Sequence, residues 1–225
     1  MSVDIPRETA LRTLYDIEKN KAYSNISLDR HLHNVKLSGL DIAFVTELVQ
    51  GVLKRKLTLD YVISIFSKVK PEKISLWIYD ILRLGVYQLL FMSRVPSSAA
   101  VNESVKLAKR FGHQASAGFV NAVLRNIDKN KDEIKYPGKP DSVKHLSVKY
   151  SYPEWMIKMW MERYGSEFTE ALLAAGNEKP DYTIRVNTIC TSTKKLSEIL
   201  AEKGFETQTG KYVDDTLTVK NPSGL

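Results

Sequence analysis

From Pro6 to Ile127 the apolar residues recur every three or four positions, and no stretch alternates with period two before residue 180. Stripes of that period can be buried only by packing helix against helix, so the first half is expected to be all-α. Ala10, Leu11, Leu14 and Ile17 follow Pro6, a favourable first-turn residue, in the opening helix. A short helix is expected over 25–34. A third begins at Asp41, a favoured N-cap type, with Phe44, Val45, Leu48, Val49, Val52 and Leu53 as its stripe. Tyr61, Val62, Ile65 and Phe66 mark a fourth, ended by the Lys70-Pro71 step. The fifth, over 75–91, is apolar on most faces and therefore belongs at the centre. Two Ala-rich helices follow, over 99–111 and 115–127.

The pattern changes at residue 129. Lysines alternate with acids, Pro137 and Pro140 interrupt any helix, and large apolar residues are scarce, which reads as an exposed linker over 131–149. A helix then starts at Pro153, with Trp155, Met156, Met159 and Trp160 expected in a second core or its dock, and another runs over 167–175. Beyond Pro180 the expectation is a strand over 182–186, a helix over 193–203 closed by Gly204, and a strand over 215–220. The fold class is thus mainly α: a helical domain over 1–130, then a small α+β domain over 150–225. A strand, a turn and an abrupt stop at Leu225 read as the end of a fragment.

Charge narrows the partners. The formal net charge is +7, and it is segregated: 22 Lys/Arg face 14 Asp/Glu over 1–140, against 11 and 12 over 141–225. A basic half suits a polyanion, of which nucleic acid is the commonest in the cytoplasm, where the chain is expected to reside. The N-terminus has no apolar signal segment, and Asp80, Arg83, Gly85 and Gln88 interrupt the longest apolar stretch, so no membrane association is expected.

Catalytic and metal motifs are absent. There is no G-x-G-x-x-G after a strand, no Walker-type loop and no G-x-S-x-G. His31, His33, His113 and His145 lack ligand spacing, so no metal is expected. Cys190, the single cysteine, has no neighbouring base and reads as a small buried residue.

The candidate sites are basic. Lys106, Lys109 and Arg110 share one helix face, either as a binding patch or as a solvated surface. Arg125, like Asn102, Glu103 and Asn121, sits among apolar residues, where pairing across the two Ala-rich helices competes with a ligand contact. Arg7 and Arg12 lie on the first helix, Arg12 with Glu8 and Asp16 four residues away on either side. Lys54, Arg55 and Lys56 mark a helix junction, where cations also complement the macrodipole. Tyr15, Tyr23 and Tyr61 can stack on bases, but core packing is the preferred reading of each.

VPSSAAVNESVKLAK followed by FVNAVLRNI, with RETALRTLYDI, FVTELVQGVLKRKLTLD and ILRLGVYQLLFM before it, resembles the NusB-like RNA-binding fold. LSVKYSYPEWMIKMWMERYG followed by IRVNT is similar to the domain that follows such segments in the RsmB/Sun family of 16S ribosomal RNA cytosine-C5 methyltransferases. The resemblance implies a parent enzyme that uses S-adenosylmethionine in a catalytic domain lying beyond these residues. This chain is then inactive alone and without a cofactor, and it binds 16S ribosomal RNA and docks against that domain. Arg7 and Arg12 are the RNA contacts the resemblance implies, and Arg185 in the IRVNT strand would contact phosphate or the catalytic domain. Cys190 does not match the family's catalytic cysteine. Two rivals stand beside this reading: a free-standing antitermination-type RNA-binding factor, and a helical protein-interaction module.

Overall fold

The helical stripes close around one central helix. The computed structural model describes residues 3–220, which divide into two compact units between Gly176 and Asn177.

The first unit contains α1 (Ile5–Asn20), α2 (Ser24–His33), α3 (Gly39–Lys54), α4 (Lys56–Phe66), α5 (Leu76–Phe91), α6 (Ser97–Phe111) and α7 (Gln114–Asn130). It continues with α8 (Val143–Tyr150), α9 (Glu154–Tyr164) and α10 (Ser166–Asn177). Asp4 caps α1 by accepting the Arg7 N–H at 2.9 Å, with Pro6 in the first turn. Asp41 is not the cap of α3. Ser38 is, and Asp41 is its capping-box partner three residues on.

Every residue of α5 from Ile78 to Leu89 is buried, as its all-round apolarity implies. Its neighbours α1, α3, α4, α6 and α7 supply Leu11, Val49, Leu59, Leu107 and Leu124 to one core. Close approach of α3 to α5 depends on Gly51, where an added Cβ would lie 1.9 Å from Tyr87 Cζ. Gly51→Ala is therefore expected to cost about 1–3 kcal/mol through overpacking. Gly118→Ala on α7, with nothing within 4 Å of the added carbon, should gain about 0.5–1 kcal/mol. Equilibrium urea unfolding of the two variants checks the pair.

The buried arginine of this core is paired. The Arg83 side chain, 5% exposed, reaches Asp60 Oδ1 at 2.7 Å, Asp80 Oδ1 at 2.8 Å and Glu18 Oε2 at 2.9 Å. Lys56 closes the cluster on Glu18 at 3.1 Å. Helices α1, α4 and α5 are thereby tied by charge as well as by apolar contact.

The linker expected over 131–149 is instead structured and packed. Helix α8 buries Leu146 completely, and its cap Ser142 accepts the His145 N–H at 3.3 Å. Thr58 Oγ1 of α4 donates to Val148 O at 2.6 Å, Leu57 N–H to Ser151 Oγ at 3.0 Å, and Tyr61 OH to Lys135 O at 2.8 Å. Helices α9 and α10 join α8 through Ile157 and Leu173, and the first compact unit runs to Gly176. Within α9 the buried residue is Ile157. Trp155 and Met159 are 63% and 48% exposed, contrary to their expected core role, because they lie on the face away from Ile157 and Met161.

The second unit holds β1 (Tyr182–Arg185), α11 (Thr193–Glu202), β2 (Thr207–Thr209) and β3 (Thr216–Val219). The sheet is antiparallel in the order β1-β3-β2, with Ile184 opposite Leu217. Val186, Leu200 and Leu217 form its core. Strand β2 was not evident in the sequence, because Thr-Gln-Thr carries no apolar alternation. The 221–225 terminus lies outside the described residues. No helix of the described residues is long and apolar enough to cross a membrane.

Candidate nucleic-acid interface

Helices α1 and α6 bring four of the candidate cations onto one face. Glu8, whose side chain is only 12% exposed, accepts Arg12 Nη2 at 2.9 Å on one oxygen and Arg110 Nη1 at 2.9 Å on the other. Both guanidinium groups lie over Phe111, at 5.0 and 5.9 Å from the ring centroid. Phe111 is held in turn by Trp77, which stacks on Tyr15 at 3.7 Å. Lys106 reaches Glu103 at 2.7 Å, and Lys109 is exposed with no ion pair among the described residues. Val3, Lys106, Lys109 and Arg110 line a depression of about 330 Å³, and a groove of about 620 Å³ continues along α6 past Asn102, Ser98 and Pro96. Two guanidinium groups thus share one carboxylate on a fixed aromatic base, beside the paired Lys106 and the unpaired Lys109. That arrangement keeps the guanidinium groups oriented and leaves a positive surplus for an anion.

The flanking groups extend this environment. Arg30 pairs with Asp16, which also accepts from Ser27 and Asn20. These hydrogen bonds, from Ser27 and then Asn20, together with Arg30, hold the Asp16 carboxyl below the usual carboxylate range. His31, with its buried Nε2 lacking a partner, is pushed down by burial, which outweighs the opposing pull of Asp16. Neither Arg30 nor His31 stood out in the sequence. No spacing rule connects residue 30 to residue 12 across the α1–α2 turn.

Other candidates fall elsewhere. Arg7 is built into the fold: its side chain is 12% exposed, donates to Gln88 Oε1 at 2.7 Å, pairs with Asp4 and covers Phe44. Lys56 belongs to the Arg83 cluster, and Lys54 is exposed but engaged. Arg55 is half-buried at the α3–α4 junction. Arg125 bonds Asn121 on its own helix at 3.0 Å, and Asn102 is exposed, so the expected pairing across α6 and α7 does not form. Helices α6 and α7 pack on one another and bury Ala100, Ala108 and Ala117. Arg185, in the second unit, pairs with Asp215 at 2.9 Å. Cys190 is exposed, not buried, because it lies in the turn after β1. Of the tyrosines, Tyr15 is stacked and Tyr61 bonded, whereas Tyr23 is 77% exposed and does no core packing.

The fold defines a class first: an all-helical bundle of NusB type, followed by a small unit built on a three-stranded antiparallel sheet. The chain belongs to the NusB family, whose model matches residues 4–129. Residues 152–225 match the ferredoxin-like domain of RsmF/B-like methyltransferases. That second match begins at α9, whereas α9 packs with the helical unit.

A probable ribosomal RNA small subunit methyltransferase B of Bacillus subtilis is 35% identical over 94% of this chain and 47% of its own length. Its counterpart in Synechocystis is 34% identical over 89% and 45%. The chain spans about half the length of these relatives. The transcription antitermination protein NusB of Bacillus velezensis is 36% identical, over 54% of this chain and 91% of its own. Among solved structures, PH0851 aligns at TM-score 0.61 and 19% identity over 99% of this chain and 50% of that one. NusB in a complex of antitermination factors NusB and NusE with double-stranded RNA aligns at 0.52 and 22%, over 56% and 94%. These two likenesses speak to the fold.

Proposed function

We propose that this chain is the RNA-binding part of a cytosine-C5 methyltransferase of 16S ribosomal RNA, and that it acts in the cytoplasm. The carrying observation is the order of the two family matches, a NusB bundle and then the RsmF/B-type ferredoxin-like domain, along a chain collinear with a relative named for small-subunit methylation. In this reading the α1–α6 face, with Arg12, Lys106, Lys109 and Arg110, takes the RNA backbone. Phosphate contacts then supply most of the affinity, and RNA shape and unpaired bases the selectivity. Lys54, Arg125 and Arg185 are secondary contacts, and Arg7 acts by holding α1.

S-adenosylmethionine is the methyl donor of the whole enzyme. The described residues do not fit it: they hold no strand, Gly-rich loop and helix in succession, and Cys190 has no base beside it. The donor is assigned to a further domain against which this chain docks, and no step of methyl transfer falls to the residues described.

The antitermination reading rests on the likeness to the Bacillus velezensis protein. That likeness covers 54% of this chain and leaves the ferredoxin-like segment without a role. Two measurements test the proposal. Binding of the 225-residue chain to a small-subunit ribosomal RNA hairpin should show a steep salt dependence. Deleting the gene should remove a 5-methylcytosine from 16S ribosomal RNA, read by bisulfite sequencing; an unchanged methylation pattern would refute the enzymatic assignment.

A further inference from the structure

Arg55 stands where α3 ends and α4 begins, with its own N–H bonded to Gly51 O and its carbonyl accepting Leu59 N–H, both at 2.9 Å. The backbone is satisfied and the side chain is not. Among the described residues the guanidinium, half-buried, makes no ion pair and donates no hydrogen bond. Its surroundings are rings. It lies 4.9 Å from the centroid of Phe91, on which Tyr87 stacks, with Tyr136 and Tyr152 in the same neighbourhood. Burial holds it below the ordinary guanidinium value. The carboxylate at this rim, Glu47, already accepts Tyr87 OH at 2.6 Å.

The cage exists because the segment after the bundle packs back on α4. Hydrogen bonds from Thr58, Leu57 and Tyr61 to Val148, Ser151 and Lys135 carry Tyr136 and Tyr152 to the junction. Both tyrosines lie beyond the 4–129 match, so a bundle ending there would lack half of the cage. Tyr136 is braced by Tyr61 and by the edge of His145, and Tyr152 by Trp160. Phe91 keeps 37% of its surface open.

A desolvated cation with no counter-charge is costly, and stacking on a ring offsets only part of that cost. The unsatisfied guanidinium fork matches two phosphate oxygens, and the aromatic surface that Phe91 leaves exposed beside it matches a base. Bases inside a duplex are not free to stack on a side chain, so unpaired RNA is the ligand that fills both features.

We propose that Arg55, with Phe91, Tyr136 and Tyr152, forms a clamp for one phosphodiester and the adjacent unpaired base of single-stranded RNA. This rests on the RNA-binding reading above. The test measures affinity and salt slope for a fluorescein-labelled small-subunit RNA hairpin with an unpaired loop, and for the same sequence closed into a duplex. It compares the wild-type chain with Arg55→Ala, Arg55→Lys and Tyr136→Leu, and records the melting temperature of each.

Arg55→Ala should lose roughly tenfold or more in affinity for the loop and lower the salt slope by about one. Arg55→Lys should keep the slope but not the full affinity. Tyr136→Leu should lose roughly fivefold or more with the slope unchanged. Duplex binding should be nearly unaffected in all three, and Arg55→Ala should melt at or above the wild-type temperature. If wild type binds and Arg55→Ala binds equally well, the clamp is refuted. A melting point lowered by many degrees in Arg55→Ala would make the residue structural and also refute it. Failure of the folded wild type to bind either RNA removes the RNA reading itself.

Discussion

Replacing Arg83 with methionine is expected to destabilise the helical unit by about 3–5 kcal/mol, although methionine fits the volume and suits the apolar neighbours. The reason lies in what remains. Asp80, 1% exposed, and the partly buried Asp60 and Glu18 all direct carboxylate oxygens at this guanidinium, and only Lys56 would be left to balance them. For a domain of this size the loss corresponds to roughly 6–20 °C in Tm.

The deficit should depend on pH with a definite sign. Burial pushes the Asp80 carboxyl up to about 6, against the pull of Arg83. The native state therefore binds a proton there more tightly than the unfolded chain, and the stability from this group is present in acid and lost as pH rises through about 6. Glu18 behaves oppositely: burial raises it, but Arg83 and Lys56 together hold it below its ordinary value. Its contribution is present above the unfolded carboxylate range and lost as pH falls through the lower, folded value. Without Arg83 the uncompensated negative charge is greatest at neutral pH, so Arg83→Met should be less damaging at pH 5 than at pH 7.5. Adding Asp80→Asn should restore part of the loss at pH 7.5. Urea unfolding at the two pH values checks this, and a deficit under about 1 kcal/mol at pH 7.5 would place the cluster with ordinary surface pairs.

The second large effect concerns RNA. Changing Lys106, Lys109 and Arg110 together to glutamine is expected to weaken binding of the small-subunit hairpin by roughly 10²-fold or more at about 0.1 M salt. Each phosphate contact releases about 0.7–0.9 of a counterion, worth roughly five- to eightfold at that concentration, and three contacts multiply. The log–log salt slope should fall by about two to three. Stability should change little, since glutamine suits a helix, Arg110 is exposed, Glu8 keeps Arg12, and the Lys106–Glu103 pair joins neighbours on one helix. Arg7→Ala is the matched control. Its loss of the Gln88 bond and the Phe44 contact should lower Tm while leaving the slope intact. A triple variant with wild-type affinity and slope would move the RNA site off α6 altogether.

Much of the helical unit was legible because burial has a period. Helix α5 spans 76–91 against an expected 75–91, and α6 and α7 begin within two residues of their expected starts. The resemblance to NusB-like and RsmB/Sun sequences pointed to the same bundle through particular strings, and the family matches agree. The 131–149 segment misled because its apolar content is low, yet Leu146, flanked by Val143 and Tyr150, seats an eight-residue helix where α4 offers hydrogen-bonding partners. Trp155 and Met159 misled in the opposite sense, since a four-residue spacing marks a shared face without saying which way that face points.

The site divides in the same way. Lys106, Lys109 and Arg110 were visible together because three- and four-residue spacing on a helix guarantees a common face. That Arg12 joins them through Glu8 while Arg7 turns inward to Gln88 was not, since both lie on α1 and both resemble exposed arginines in sequence. Periodicity, charge segregation and a single cysteine were enough to establish a basic helical bundle with no disulfide, because each is a property of the chain read locally or summed. Which cations are spent on buried carboxylates, as Arg83 is, and which stay open, as Lys109 and Arg55 do, was settled by helix packing. Ion pairing and desolvation depend on distances between residues far apart in sequence, and those distances exist only in the folded chain.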